Sequence, residues 1–93
     1  MSTALERRWF DAVAEIEVCV ITGHHGIQVA HRDFGKGMGL KTAPWMTAAL
    51  WHELHRELTD GTQYNRDEKR ALMDRAIVNT HDRLIRAGRL VLK

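Results

Sequence analysis

A single cysteine, Cys19, stands among 93 residues, so no internal disulfide can close. That usage fits a reducing compartment. Long hydrophobic runs are missing too. The apolar run at residues 18–21 is far short of the roughly 20 residues that cross a bilayer. Residues 1–6 lack the apolar core of a signal peptide. A cytoplasmic location with no membrane partner is the expectation. There is also too little chain for a second core, and the sequence contains no internal repeat, linker or low-complexity tract. A domain this small buries only about 60% of its unfolded surface, so helix packing, a metal or a partner must supply the remaining stability.

What is present is a balance of 44% hydrophobic and 28% charged residues, with a formal net charge of +2. The charge is unevenly spread. Residues 1–31 carry two basic and four acidic side chains, residues 32–65 four of each, and residues 66–93 eight basic against four acidic. Ten of the fourteen cations are arginine, whose planar fork matches phosphate. A basic C-terminal third is compatible with nucleic acid, and equally with a solvated helix face.

Periodicity and punctuation predict the elements. Leu5, Trp9, Ala12, Val13 and Ile16 recur at helical spacing over residues 4–16, with Thr3 at the N-cap and Glu6 three residues later. The β-branched stretch 18–22 reads as a strand, His24 and His25 as its turn, and 27–31 as a second strand completing a hairpin. Residues 34–42 form a glycine-rich loop. Pro44 suits a first helical turn, and Leu50, Leu54 and Leu58 predict a helix over 46–58 that Asp60-Gly61 ends. Asn65 with Glu68 signals a cap for a long amphipathic helix over about 66–87, whose Leu72, Ala76 and Leu84 face is a candidate surface for pairing two copies. Gly88 stops it, and residues 90–92 read as a short strand.

Several motifs fail on inspection. Lys41-Thr42 follows Leu40 where a phosphate-binding P-loop needs glycine, which excludes a P-loop NTPase. Lys36 and Lys41 can still contact a phosphate, although a plain surface connection explains them as well. His52 and His55 are three apart, whereas a zinc-protease helix needs a spacing of four. His55 remains a candidate ligand, and His52 either shares its face or meets solvent. Alternation puts His31 and Asp33 on one face of a strand end, as base and orienter, as two ligands, or as ordinary surface residues. Cys19, between Val18 and Val20, reads as a buried small hydrophobe, and His81 as a surface residue.

Five stretches taken together carry a resemblance. They are Arg8-Trp9-Phe10-Asp11-Ala12-Val13-Ala14, Cys19-Val20-Ile21-Thr22-Gly23, Val29-Ala30-His31-Arg32, Gly37-Met38-Gly39-Leu40-Lys41 and Leu50-Trp51-His52-Glu53-Leu54-His55. This series resembles small phage and prophage HNH-type nucleases, among them the YbcO-like proteins and Ref-like recombination nucleases. It spans nearly the whole chain. The resemblance implies one domain over 1–93 of α+β class. Its ββα-metal core of one hairpin and one helix (18–59) would lie between an N-terminal helix and the long C-terminal one.

It also implies roles. His31 matches the general base and His55 a ligand of a divalent ion, Mg²⁺ or a transition metal, with Asp33, His52 or Asp60 completing the set. The position before the base, a ligand in fuller HNH sites, is Ala30. The family's structural zinc positions fall on Cys19, Thr22, Trp51 and Leu54, so one ligand of four survives and apolar packing is expected in place of zinc. A rescued site using His24 or His25 with Cys19 is the less favoured alternative. Arg32, Lys36, Lys41, Arg75, Arg83, Arg86 and Arg89 are the candidate phosphate contacts. The implied function is metal-dependent DNA endonuclease. The alternatives are an inactive HNH-like scaffold that binds DNA or a recombination protein, and a small dimerisation module.

Overall fold

Thr3 opens the first helix as the spacing predicts, its hydroxyl accepting the Glu6 N–H at 3.1 Å. The computed structural model describes residues 3–32 and 43–89. Five elements follow in order: α1 (Ala4–Ala14), β1 (Ile27–His31), β2 (Thr47–Trp51), α2 (His52–Asp60) and α3 (Arg66–Arg86). The class is α+β, with a two-stranded antiparallel sheet and a ββα order in its middle. The register pairs Ile27 with Trp51, Val29 with Ala49 and His31 with Thr47.

The sheet is not the one the sequence predicts. The partner of Ile27–His31 is Thr47–Trp51, a segment whose leucine spacing reads as the start of a helix. Thr47 to Leu50 are all fully buried, because the strand is covered on both faces. Ala48 and Leu50 meet Met73 and Ile77 of α3 and Leu54 of α2, while Ala49 turns to Ala12 and Val13 of α1 and to Leu84. A short apolar run buried on both sides carries no period-2 signal. Residues 18–22 supply no strand among the described elements. Only Val18 bridges to His25, with Cys19 N–H on the His24 carbonyl at 2.8 Å and Val20 N–H on the Ala49 carbonyl at 3.1 Å.

Strand β2 runs straight into α2, whose N-cap residue, Trp51, makes no side-chain cap bond. By contrast α3 has a full capping box: Asn65 Oδ1 accepts from Glu68 N–H at 2.9 Å and Glu68 Oε1 from Asn65 N–H at 3.0 Å. Asn65→Ala is expected to lower unfolding free energy by about 1 kcal/mol, read by urea denaturation. The helix ends before Gly88, whose φ of +75° is left-handed backbone that glycine adopts without strain. Of the face nominated for pairing two copies, Ala76 and Leu84 are buried inside the chain and Leu72 is half-buried. The predicted strand at 90–92 and the loop at 34–42 lie outside the described residues.

Thr80 locks α3 to the sheet. Its buried hydroxyl accepts the Ala49 N–H at 3.2 Å and donates to the Ala76 carbonyl at 2.7 Å. Trp9 adds a second tie from α1, its indole N–H donating to Thr47 Oγ1 at 2.8 Å. His81 is not the free surface residue the sequence suggests. Its Nε2–H donates to the Trp45 carbonyl at 2.6 Å and its ring meets Trp9 edge-on. No described helix is long and apolar enough to cross a membrane.

Candidate functional site

Strand β1 ends on His31, and the hydrogen-bonded register holds that end against Thr47. Helix α2 begins where β2 stops and brings His55 round on its first turn. The two histidines, 24 positions apart in the chain, line one cleft of about 330 Å³. Phe10 of α1 meets the His31 ring edge-to-face at 5.3 Å and 84°, which restricts its rotation.

His55 Nδ1 lies 2.8 Å from Gln28 Oε1. A carboxamide oxygen only accepts, so Nδ1–H is the donor here, and in the neutral ring this puts the lone pair on Nε2. Such fixing of the tautomer by an outer partner is what metal-bound histidines receive. Gln28 was not singled out in the sequence. Its signal is positional, since strand alternation from Ala30 places it on the His31-opposed half of the pleat, and only the fold aligns it with His55.

His52 and Asp60 share a hollow with His55 that His31 does not line. His52 is exposed, with Nδ1–H donating to the Gly26 carbonyl at 3.4 Å. It lines a neighbouring hollow with Gln28, His55 and Asp60, not the His31 cleft. Asp33 lies outside the described residues. Among the described residues no three His, Cys, Asp or Glu side chains converge to hold an ion. The candidate ligand left in the cleft is therefore the His55 imidazole, with His31 lining the same cleft as a separate group. Water and substrate oxygens would complete the shell. Imidazole donors favour Mn²⁺, Ni²⁺ and related ions over Mg²⁺.

Cys19, Thr22, Trp51 and Leu54 do come together. Cys19 and Leu54 are buried in one cluster, with Trp51 packed against it. Burial pushes the Cys19 thiol up, but hydrogen bonds from Thr22 and from the Trp51 and Ile21 backbone outweigh it and hold the group below its ordinary value. The Thr22 N–H lies 3.4 Å from the sulfur. Across the outer side, His24 stacks flat on Trp51 at 3.9 Å. One thiol amid an indole and an isobutyl group does not fit tetrahedral zinc.

The cations lining the cleft are Arg66, Lys69 and Arg70 of α3. None was nominated from the sequence. Their spacing, with Met73 seven residues after Arg66, puts them on one helix face, and that spacing is the signal the sequence carries for them. The nominated arginines lie elsewhere. Arg32 pairs with Asp74 at 3.0 Å, Arg86 with Asp82 at 2.8 Å, and Arg89 with Glu15. Arg75 and Arg83 are exposed on α3 and do not line the cleft. Lys36 and Lys41 lie outside the described residues.

No family model, curated protein or solved structure matches the chain.

Proposed function

We propose that the chain is a metal-dependent endonuclease of HNH type that hydrolyses DNA phosphodiesters. One observation carries this reading: a histidine at the end of β1 and a histidine on the helix that follows β2 line a single cleft walled by three cations. A ββα order supports the reading, although its second strand is Thr47–Trp51 and not the 18–22 strand of the hairpin that the resemblance implies. A phage or prophage setting and a recombination-protein partner rest on the resemblance alone.

His31 takes the proton from a water molecule as its oxygen forms a bond to phosphorus, and the bond from phosphorus to the 3′ oxygen breaks. Phe10 packs edge-to-face on the His31 ring and narrows the orientations it can take. His55, its Nδ1–H engaged by Gln28, is the residue that would hold a divalent ion, through Nε2. When bound there, a divalent ion supplies Lewis-acid stabilisation of the charge that builds on the phosphoryl and leaving oxygens. Arg66, Lys69 and Arg70 attract the polyanion and oppose its repulsion from the site.

A second reading is favoured by the sparse donor set: a scaffold of the same fold that binds DNA without cutting it. Nicking of supercoiled plasmid separates the two. The nuclease reading expects open-circular product with Mn²⁺, Ni²⁺ or Mg²⁺ and none with EDTA. Folded protein that nicks in no metal supports the scaffold.

A further inference from the structure

The cleft is built for more than the reacting phosphate. Arg66, Lys69 and Arg70 rise along one face of α3, and Met73 continues that face as an apolar floor shared with Leu58 of α2. Lys69 is braced, its Nζ donating to the Gly61 carbonyl at 2.6 Å across the turn that joins the two helices. Among the described residues no carboxylate lines the cleft, although acidic side chains line the hollow on the far side of His55. Positive walls over an apolar floor suit a ligand that is anionic along one edge and apolar along another.

We infer that this face of α3 is a clamp for a single, unpaired nucleic-acid strand. Its phosphates lie along Arg66, Lys69 and Arg70, and one nucleotide's sugar and base cover the half-buried Leu58 and the small edge of Met73 that reaches the cleft. Duplex DNA turns its bases inward and presents a convex wall of phosphate, which would leave the floor wet. An unpaired nucleotide can cover it. The cleft's roughly 330 Å³ lies at the small end of the range for compact ligands of about 300–1,000 Å³, room for one nucleotide and not for a double helix. This inference rests on the same cleft as the nuclease reading, and it concerns binding rather than hydrolysis.

The test is fluorescence anisotropy in EDTA, so hydrolysis plays no part and its absence is a separate result. The probe is a labelled oligonucleotide, free or annealed to its complement, titrated with the full chain. The single strand is expected to bind more tightly than the duplex at equal salt. Arg66→Gln/Arg70→Gln should weaken single-strand binding at least about tenfold and flatten the salt dependence by about 1.4, two phosphate contacts at roughly 0.7 each. Arg83→Gln/Arg86→Gln, the same charge change elsewhere on α3, should stay near wild type. If the first pair fails to fold by circular dichroism, the exposed Arg66→Gln alone must still weaken binding more than Arg83→Gln. Equal loss in both sets, unchanged affinity in the clamp variants, or tighter binding of duplex would overturn the proposal.

Discussion

Replacing His31 with alanine is expected to slow metal-dependent nicking by about 10²–10⁴-fold, the usual contribution of a positioned general base. The fold should survive. His31 is exposed at a strand end, its ring touching Phe10 from outside the core, and its backbone pairing with Thr47 does not need the side chain. His55→Ala should differ in kind. It removes the imidazole that Gln28 orients, so the metal concentration for half-maximal rate rises steeply, and saturating metal restores part of the activity. Initial nicking rates across a Mn²⁺ titration distinguish the two variants. Thermal melts of both should stay within a few degrees of wild type. A His31 variant with the full rate would remove the base from the account.

Leu50→Ala is expected to cost about 2–5 kcal/mol, a large share of the 5–15 kcal/mol typical of a small domain. Leu50 is fully buried and sits in β2 opposite Gln28, packed among Met73, Ile77 and Leu54. Truncation opens a cavity where the sheet, α2 and α3 meet, in a region close-packed from both faces. Urea unfolding followed by tryptophan fluorescence measures the loss. Leu58→Ala is the comparison. Leu58 is only half-buried at the cleft wall and should cost markedly less. Were residues 46–58 one continuous helix, the leucines four apart would share a stripe and cost alike.

That contrast marks where sequence reading stopped. Helices α1 and α3 are legible because their ends are written in side chains, Thr3 with Glu6 and Asn65 with Glu68, and Gly88 closes the second. Strand β1 is legible from alternation. Strand β2 is not, since Ala48, Ala49 and Leu50 are buried on both faces and Leu50, Leu54 and Leu58 imitate a helical stripe across a strand–helix junction. Residues 18–22 have strand composition, yet their backbone bonds scatter: Val18 N–H reaches the Ile16 carbonyl after Glu17 takes a φ of +66°, Cys19 N–H the His24 carbonyl and Val20 N–H the Ala49 carbonyl.

The site was legible one residue at a time. His31 and His55 can each be picked from the sequence, but their shared cleft depends on a sheet pairing that the sequence conceals. Charge counting points to Arg75, Arg83 and Arg86 of α3 and to Arg89 beyond it, of which Arg86 pairs with Asp82 and Arg89 with Glu15. The cations that wall the cleft stand in its first two turns.

The central claim is that His31 and His55 work together at one metal-dependent site. The most direct measurement is the nicking rate of wild type, His31→Ala, His55→Ala and the double variant, at saturating Mn²⁺ and in EDTA. The account predicts metal-dependent cleavage by wild type, loss of at least about 10²-fold in His31→Ala, and a double variant hardly slower than His31→Ala, because groups acting as a unit do not add. Cleavage that persists in EDTA, or that survives in the double variant at the wild-type rate, would contradict it.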